Sequence, residues 1–297
     1  MVKDFKQYLL MTMLVFSCAN LFAQVGNQPF KIGLIADIQY ADKEDSKTRF
    51  YRSSIPKLQE AIQALNQEKL VFSVVLGDLV DEGPKDLIPI LSSLNNLQAP
   101  YFNLLGNHDY PKFFEKDVYK KFHMPKEYYA LDKNGWKFIF LNTNELASYA
   151  VETGSDREKE FLALKDQLNR EGKKSIPSYN GGIGKQQISW LQKELEEAKK
   201  SGKKVLVFSH HPFLPANGLE TLNSKTLVNL FLKYPQVKAV ISGHHHPGNY
   251  EQFKGVPFIT LEGMVETQEN AFGYMEIFKD KVLLRGYGRM TDRIITW

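Results

Sequence analysis

FSVVLGDLVD, residues 72–81, is a run of β-branched and apolar residues that stops at Gly77 and gives way to two carboxylates, Asp78 and Asp81. The same pattern occurs four more times. KIGLIADIQ (31–39), YFNLLGNHD (101–109), VLVFSHH (205–211) and AVISGHHH (239–246) each pass from an apolar run of strand length into carboxylate, amide or imidazole side chains. None of these runs has helical periodicity, so each reads as a buried strand ending in a polar loop. In α/β sheets, sites form beyond the carboxyl ends of the strands, so five such loops can converge although they span more than two hundred residues. Of the seven histidines, only His123 lies outside them.

Length and composition bound the rest. The 297 residues exceed a common single-domain length, yet α/β folds run to ~200–250 residues as one domain. No Pro/Gly/Ser-rich linker, repeat or low-complexity tract divides the chain, so one domain over residues 24–297 is expected. The N-terminus differs in kind. Lys3 and Lys6 precede the apolar stretch 9–16, and small or polar residues follow as far as Ala23. This reads as a secretory signal cleaved after Ala23, too short to span a bilayer. An amphipathic first helix of the mature fold is the alternative, and the stretch lacks the polar face it would need. Cleavage before Cys18 with lipidation is another, and the bulky Phe16 argues against it. Cys18 is the only cysteine, so the exported chain would hold no disulfide. The formal charge is +4 with basic residues scattered and no stripe of interleaved aromatics, which argues against nucleic acid as a partner. Oligomeric state is not legible.

Between the strand-like runs, the pattern predicts helices over 51–70, 85–97, 186–200 and 219–234. The third is the clearest: Ile188, Leu191, Leu195 and Ala198 form one face, and Gly202 stands beyond as a stop. In the C-terminal third, VPFITLEG, FGYMEIF and KVLLRGYG follow one another with short connections, which predicts an antiparallel second sheet. The charged and then Gly-rich stretch 152–184 reads as a long functional insertion. Two packed sheets flanked by helices are expected.

The side chains in the five loops suit hydrolysis of a phosphate ester or anhydride. That chemistry needs a hydroxide at neutral pH and a way to neutralise the phosphoryl oxygens, and two divalent cations ~3.5–4 Å apart do both. Such a pair needs a bridging carboxylate surrounded by carboxylate, amide and imidazole donors. Asp78 is the expected bridge, with Asp37, Gln39 and His246 around the first ion and Asn107, His210 and His244 around the second. His108 then faces the substrate as a general acid or phosphate clamp, and Asp81 orients its imidazole.

These residues resemble the calcineurin-like metallophosphoesterase superfamily, whose five blocks run in this order. The resemblance implies the metal roles above, pairs Asp81 with His108, and implies a four-layer αββα sandwich of two mixed sheets flanked by helices. The first block departs from the usual Asp-x-His, reading Asp37-Ile38-Gln39. That departure, with DIQYAD (37–42), YNGG (179–182), ITLEGMVET (259–267) and NAFG (270–273), resembles the manganese-dependent ADP-ribose/CDP-alcohol diphosphatase family. The resemblance implies a small-molecule substrate and hydrolysis of its pyrophosphate link, as in ADP-ribose or CDP-choline. Gln39 also has a physical reading. An amide oxygen in place of an imidazole gives the first site three oxygens and one nitrogen, which favours manganese or magnesium over iron or zinc.

Other readings stay open beside this one. A phosphodiesterase or phosphomonoesterase of the same superfamily would share the motifs. An iron-binding purple acid phosphatase is disfavoured because Asp81 stands where that group resembles a tyrosine. A binding protein that retains the fold would be marked by lost ligands, and all seven metal positions hold competent donors. His211 and His245 fit loop or supporting roles. Tyr179, Asn180 and Gly181 form either a glycine turn or a pocket wall. Glu262 and Glu266 are either solvated or hydrogen-bonded to ribose or base, and Phe272 and Tyr250 either stack on the base or pack in the core. Asp42 and Asn144 follow strand ends and could reach the site.

Overall fold

The computed structural model describes residues 29–173 and 177–297. The expected signal segment and Cys18 lie outside the described residues. In chain order the elements are β1 (Phe30–Ile35), α1 (Ser54–Asn66), β2 (Phe72–Val75), α2 (Leu87–Leu94), β3 (Tyr101–Asn103), β4 (Tyr129–Lys133), β5 (Trp136–Phe140), α3 (Asp156–Arg170), α4 (Lys185–Lys200) and β6 (Lys204–Phe208). They continue with α5 (Ser224–Phe231), β7 (Val237–Ser242), β8 (Pro247–Phe253), β9 (Val256–Glu262), β10 (Ala271–Ile277), β11 (Lys281–Gly288) and β12 (Arg293–Thr296). The five quoted runs are therefore β1, β2, β3, β6 and β7.

Two six-stranded sheets result, ordered β12-β11-β10-β1-β2-β3 and β4-β5-β6-β7-β9-β8. Both are mixed. In the first, β1, β2 and β3 are parallel while β10, β11 and β12 alternate beside them. In the second, β5, β6, β7 and β9 are parallel, and antiparallel β4 and β8 close the edges. Strands covered on both faces carry apolar side chains in both directions, which explains why the sequence shows runs rather than alternation. Phe138, Phe140, Leu206 and Phe208 point between the sheets into one core with Ile32, Leu34 and Phe72. Their neighbours Ile139, Val205 and Val207 point outward to meet Leu191, Leu195 and Leu227 from α4 and α5. Leu58, Ala61 and Leu65 of α1 and Ile90 and Leu94 of α2 join the first core, completing the four layers αββα.

The structure adds to or differs from the local readings in four places. The C-terminal runs do not build a sheet of their own: VPFITLE is β9, paired parallel to β7, whereas β10 and β11 extend the first sheet from β1. Segment 152–184 contains α3, started by Ser155, whose hydroxyl accepts from the Glu158 N–H, and seated by Phe161 and Leu168. Its charge density hid a narrow apolar stripe. The β4–β5 hairpin was missed, because its partner Trp136–Phe140 is legible as a strand only when stacked against β6. On α4 the buried face is turned to include Gln187, whose amide donates to the Asn142 carbonyl and to Glu145, leaving Ile188 half-covered. The other predicted helices exist but are shorter than read.

Candidate metal centre

All five loops leave the sandwich at one edge and are stitched together by backbone hydrogen bonds. The Gln39 N–H donates to the Asp78 carbonyl (2.7 Å), the Asp37 N–H to Gly77 (3.3 Å) and the Gly243 N–H to His210 (3.0 Å). Strain marks the same place. Asp37, Gln39, Asp78 and His244 have φ values of 51°, 47°, 48° and 71°, a left-handed region that L-residues enter only when the surroundings compel it. Two glycines permit the close approach of the β2 and β3 loops. A Cβ on Gly106 would lie 2.1 Å from Asp78 Oδ1, and one on Gly77 would lie 2.5 Å from the Gly106 nitrogen.

Two overlapping sets of candidate donors lie here, Asp37, Asp78 and His210 in one and His210, His211 and His244 in the other, and they meet at His210. Ligand atoms of Asp37, Asp78 and His210 lie within 4.8 Å of one another. His210 Nε2 lies 3.3 Å from Asp78 Oδ2 and 3.1 Å from Asn107 Oδ1, with His244 Nδ1 3.3 Å away. His246 Nε2 lies 3.6 Å from Asp37 Oδ1. Gln39 is fully buried, and neither its amide oxygen nor its nitrogen has a partner.

The arrangement of protons shows that this set suits cations. His210 Nδ1–H donates to the Leu76 carbonyl (2.9 Å) and His246 Nδ1–H to Glu266 Oε1 (2.8 Å). With Nδ1 so committed, each imidazole turns Nε2 toward a carboxylate oxygen, and that of His210 also toward the Asn107 amide oxygen, so an uncharged ring would add its lone pair to theirs. Lone pairs aimed at one point call for positive charge there. Electrostatics point the same way: burial opposes charging of His210, yet the neighbouring Asp78 and Asp37 carboxylates outweigh burial and push its pKa up to about 9. Two divalent cations would supply that charge in place of protons.

His108 stands beside this set. Its N–H donates to Asp78 Oδ1 (2.8 Å), and its ring Nδ1 faces the Asp81 carbonyl (2.9 Å) and carboxylate (3.1 Å). The side chain is 29% exposed. With Nδ1 occupied, Nε2 is the edge available to a ligand. Asp81 is in turn gripped by Lys43, which lies over the Tyr51 ring and also reaches Glu82.

The remaining candidates separate clearly. Tyr179 is 44% exposed, with its ring 5.6 Å from that of His244. Asn180 turns inward and donates to the Gly218 and Glu220 carbonyls, and Gly181 is pressed against the Thr143 carbonyl, so both shape the loop rather than line a pocket. Glu262 is buried and accepts from the Thr291 hydroxyl (2.7 Å). Glu266 serves His246. Phe272 is a correction: 2% exposed and stacked on Tyr287, it belongs to the core and has no face free for a base. Tyr250 is exposed beneath the Arg293 guanidinium. Asp42 pairs outward with Arg52, and Asn144 braces the Leu105 carbonyl, so neither is a ligand. His211 is buried between Thr143 and the Tyr179 carbonyl, which ties the Tyr179 loop to the histidine cluster. His245 is half-buried, with its Nδ1 buried and unpartnered.

Two supports were missed in the sequence. Asp109 accepts from the Leu79, Val80 and Gly106 N–H groups and so fixes the spacing of the β2 and β3 loops. Its signal was its place in the same short loop as Asn107 and His108. Lys57 occupies a buried position on the apolar face of α1, and a lysine in that register was the clue.

Fold and site together define a phosphoesterase built around a pair of divalent cations. Residues 30–248 match the calcineurin-like phosphoesterase family model, and the chain belongs to that family; it is a hydrolase. A mouse protein named manganese-dependent ADP-ribose/CDP-alcohol diphosphatase is 30% identical, over 90% of this chain and 93% of its own length. A rice protein of the same name is 29% identical, over 89% and 92%. The crystal structure of a dimetal phosphatase from Danio rerio superposes with a TM-score of 0.80 at 25% identity, covering 90% of this chain and 99% of that one.

Proposed function

We propose that the chain is a manganese-dependent diphosphatase that cleaves the phosphoanhydride bond of small nucleoside diphosphate derivatives of the ADP-ribose or CDP-alcohol type. The observation that carries the reading is Gln39, a fully buried amide with both polar atoms unpartnered, in the first of the converging loops, where the superfamily pattern has histidine. The names of the relatives that align over nearly the whole chain support the same substrate class.

In this reading Asp37, Gln39, Asp78 and His246 would hold one ion, and Asp78, Asn107, His210 and His244 would hold the other. When bound, the ions supply Lewis acidity and a water of lowered pKa. The chain's own residues do the rest. His108, fixed through Asp81, presents Nε2 to the phosphoryl group, and Tyr179 offers an aromatic face beside His244 to the nucleoside end. A phosphate leaves from a pyrophosphate far more readily than an alkoxide from an ester, so His108 contributes less by donating a proton than by stabilising charge.

A panel of ADP-ribose, CDP-choline, an alkyl phosphodiester and a phosphomonoester, assayed with Mn²⁺, Mg²⁺ and Zn²⁺, tests this. The diphosphates with Mn²⁺ should dominate, and dominant phosphomonoester turnover would overturn the reading. His108→Asn should lose less rate on the diphosphates than on the phosphodiester; equal losses would remove the role given to it. Gln39→His should shift the preference from manganese toward zinc or iron, and an unchanged metal profile would refute the account of that residue.

We also propose that residues 24–297 form one domain, a reading supported by the way C-terminal strands are shared between both sheets. Export rests on the sequence of residues 1–23. N-terminal sequencing of the mature protein should begin at Gln24, and a retained Met1 would exclude cleavage. No described helix is long and apolar enough to cross a membrane.

A further inference from the structure

Lys57 on α1 is 5% exposed, and no carboxylate pairs with it among the described residues. Its ammonium donates instead to the carbonyls of Met264 (2.7 Å), Thr267 (2.6 Å) and Glu266 (3.3 Å). Burying a charge without a counter-ion is costly unless its donors are satisfied, and here carbonyl dipoles satisfy them. The helix needs none of this, since an apolar residue at this position would complete its buried face. The beneficiary is segment 263–267.

That segment is bound on every side. Arg289 grips the Gly263 and Glu266 carbonyls. The Met264 and Val265 N–H groups donate to the Ala36 and Asp37 carbonyls (2.9 and 3.0 Å), and the Thr267 N–H donates to Thr48 (2.6 Å). From its middle the segment projects Glu266, whose Oε1 accepts from His246 Nδ1 at 2.8 Å and lies 3.6 Å from Arg49 Nε. This one carboxylate sets the tautomer of His246 and aims its Nε2 at Asp37. A path of direct contacts therefore runs from the ammonium of α1, through the backbone of 263–267 and Glu266, to a ligand of the first ion.

We propose that Lys57 is a positioning residue for the first metal ion: it holds the Glu266 segment in the place from which Glu266 aims His246. The inference rests on His246 as a metal ligand, and not on which phosphate compound is cleaved. A chain that binds two Mn²⁺ ions but hydrolyses another substrate leaves it intact, whereas a His246→Ala variant with full Mn²⁺ affinity removes its premise.

The test is titration of the metal-free full chain with Mn²⁺, with free ion read by electron paramagnetic resonance. Lys57→Met keeps the apolar stem and removes the donors; Glu266→Gln removes the carboxylate charge. Each should weaken one of the two Mn²⁺ sites by roughly 10–100-fold, the range for groups that orient a metal ligand. The double variant should be no worse than the weaker single, because both changes cut the same path. Losses that multiply in the double variant would overturn the proposal. So would a Lys57→Met chain that melts at lower temperature in its metal-free form yet binds Mn²⁺ with unchanged affinity, since that marks a purely structural role. If Lys57→Met does not fold, Lys57→Gln, which is one atom shorter and has two uncharged donors for three carbonyls, is read against the same outcomes.

Discussion

Asp78→Asn is expected to reduce kcat on the order of 10³–10⁴-fold, equivalent to about 4–5 kcal/mol of barrier. The substitution is almost isosteric, and its amide oxygen can still accept the His108 N–H that Asp78 Oδ1 accepts at 2.8 Å. The loop should therefore keep its shape. What disappears is the charge of a buried carboxylate that lies 3.3 Å from His210 Nε2 and is clustered with Asp37. If two dications share this centre, removing that anion would leave more of their mutual repulsion uncompensated. Metal analysis should find fewer than two ions per chain. A variant that retains two ions and within tenfold of the parent rate would show that Asp78 is not the bridge.

Gly106→Ala is the second large effect, and it arises from space rather than charge. The added Cβ would meet Asp78 Oδ1 at 2.1 Å and the Asp78 nitrogen at 2.4 Å, separations that no rotamer change on the alanine can relieve. The β2 and β3 loops must then part, and Asn107 and His108 move with them. A misplacement of about 1 Å at reacting groups costs on the order of 10²-fold in rate. Overpacking adds a loss of about 1–3 kcal/mol in stability. Steady-state kinetics and a melting curve check both effects together. An alanine variant with parental kcat and melting temperature would mean that the two loops do not meet as closely as the structure places them.

The five strand-to-loop transitions were legible because a parallel strand buried on both faces writes itself as a continuous apolar run, and a ligand-bearing loop follows at once. Asp37, Gln39, Asp78, Asn107, His108, His210, His244 and His246 were all named from that pattern, and the structure brings them to one edge of the sandwich. The substrate candidates fared differently. Phe272 and Tyr179 look alike as aromatic residues near glycines, yet one is packed on Tyr287 and the other faces out beside His244. Glu262 and Glu266 stand four residues apart in one motif, and only Glu266 reaches the candidate ligand His246. The β4–β5 hairpin and the division of the C-terminal strands between two sheets escaped for a related reason: each depends on which distant strand lies alongside.

The sequence by itself determined the chemistry: which donors are present, in what order, and with an amide where an imidazole is usual. Those are properties of side chains and of short stretches, and they hold in any fold that keeps the strands parallel. Only the tertiary structure decided partnership, because hydrogen bonds and burial are settled between residues far apart in the chain. Lys57 finds its carbonyls 207 to 210 residues away, and His210 finds the Leu76 carbonyl 134 residues away. No local pattern encodes which backbone dipole will be waiting there; the packing of α1 and of the two sheets does.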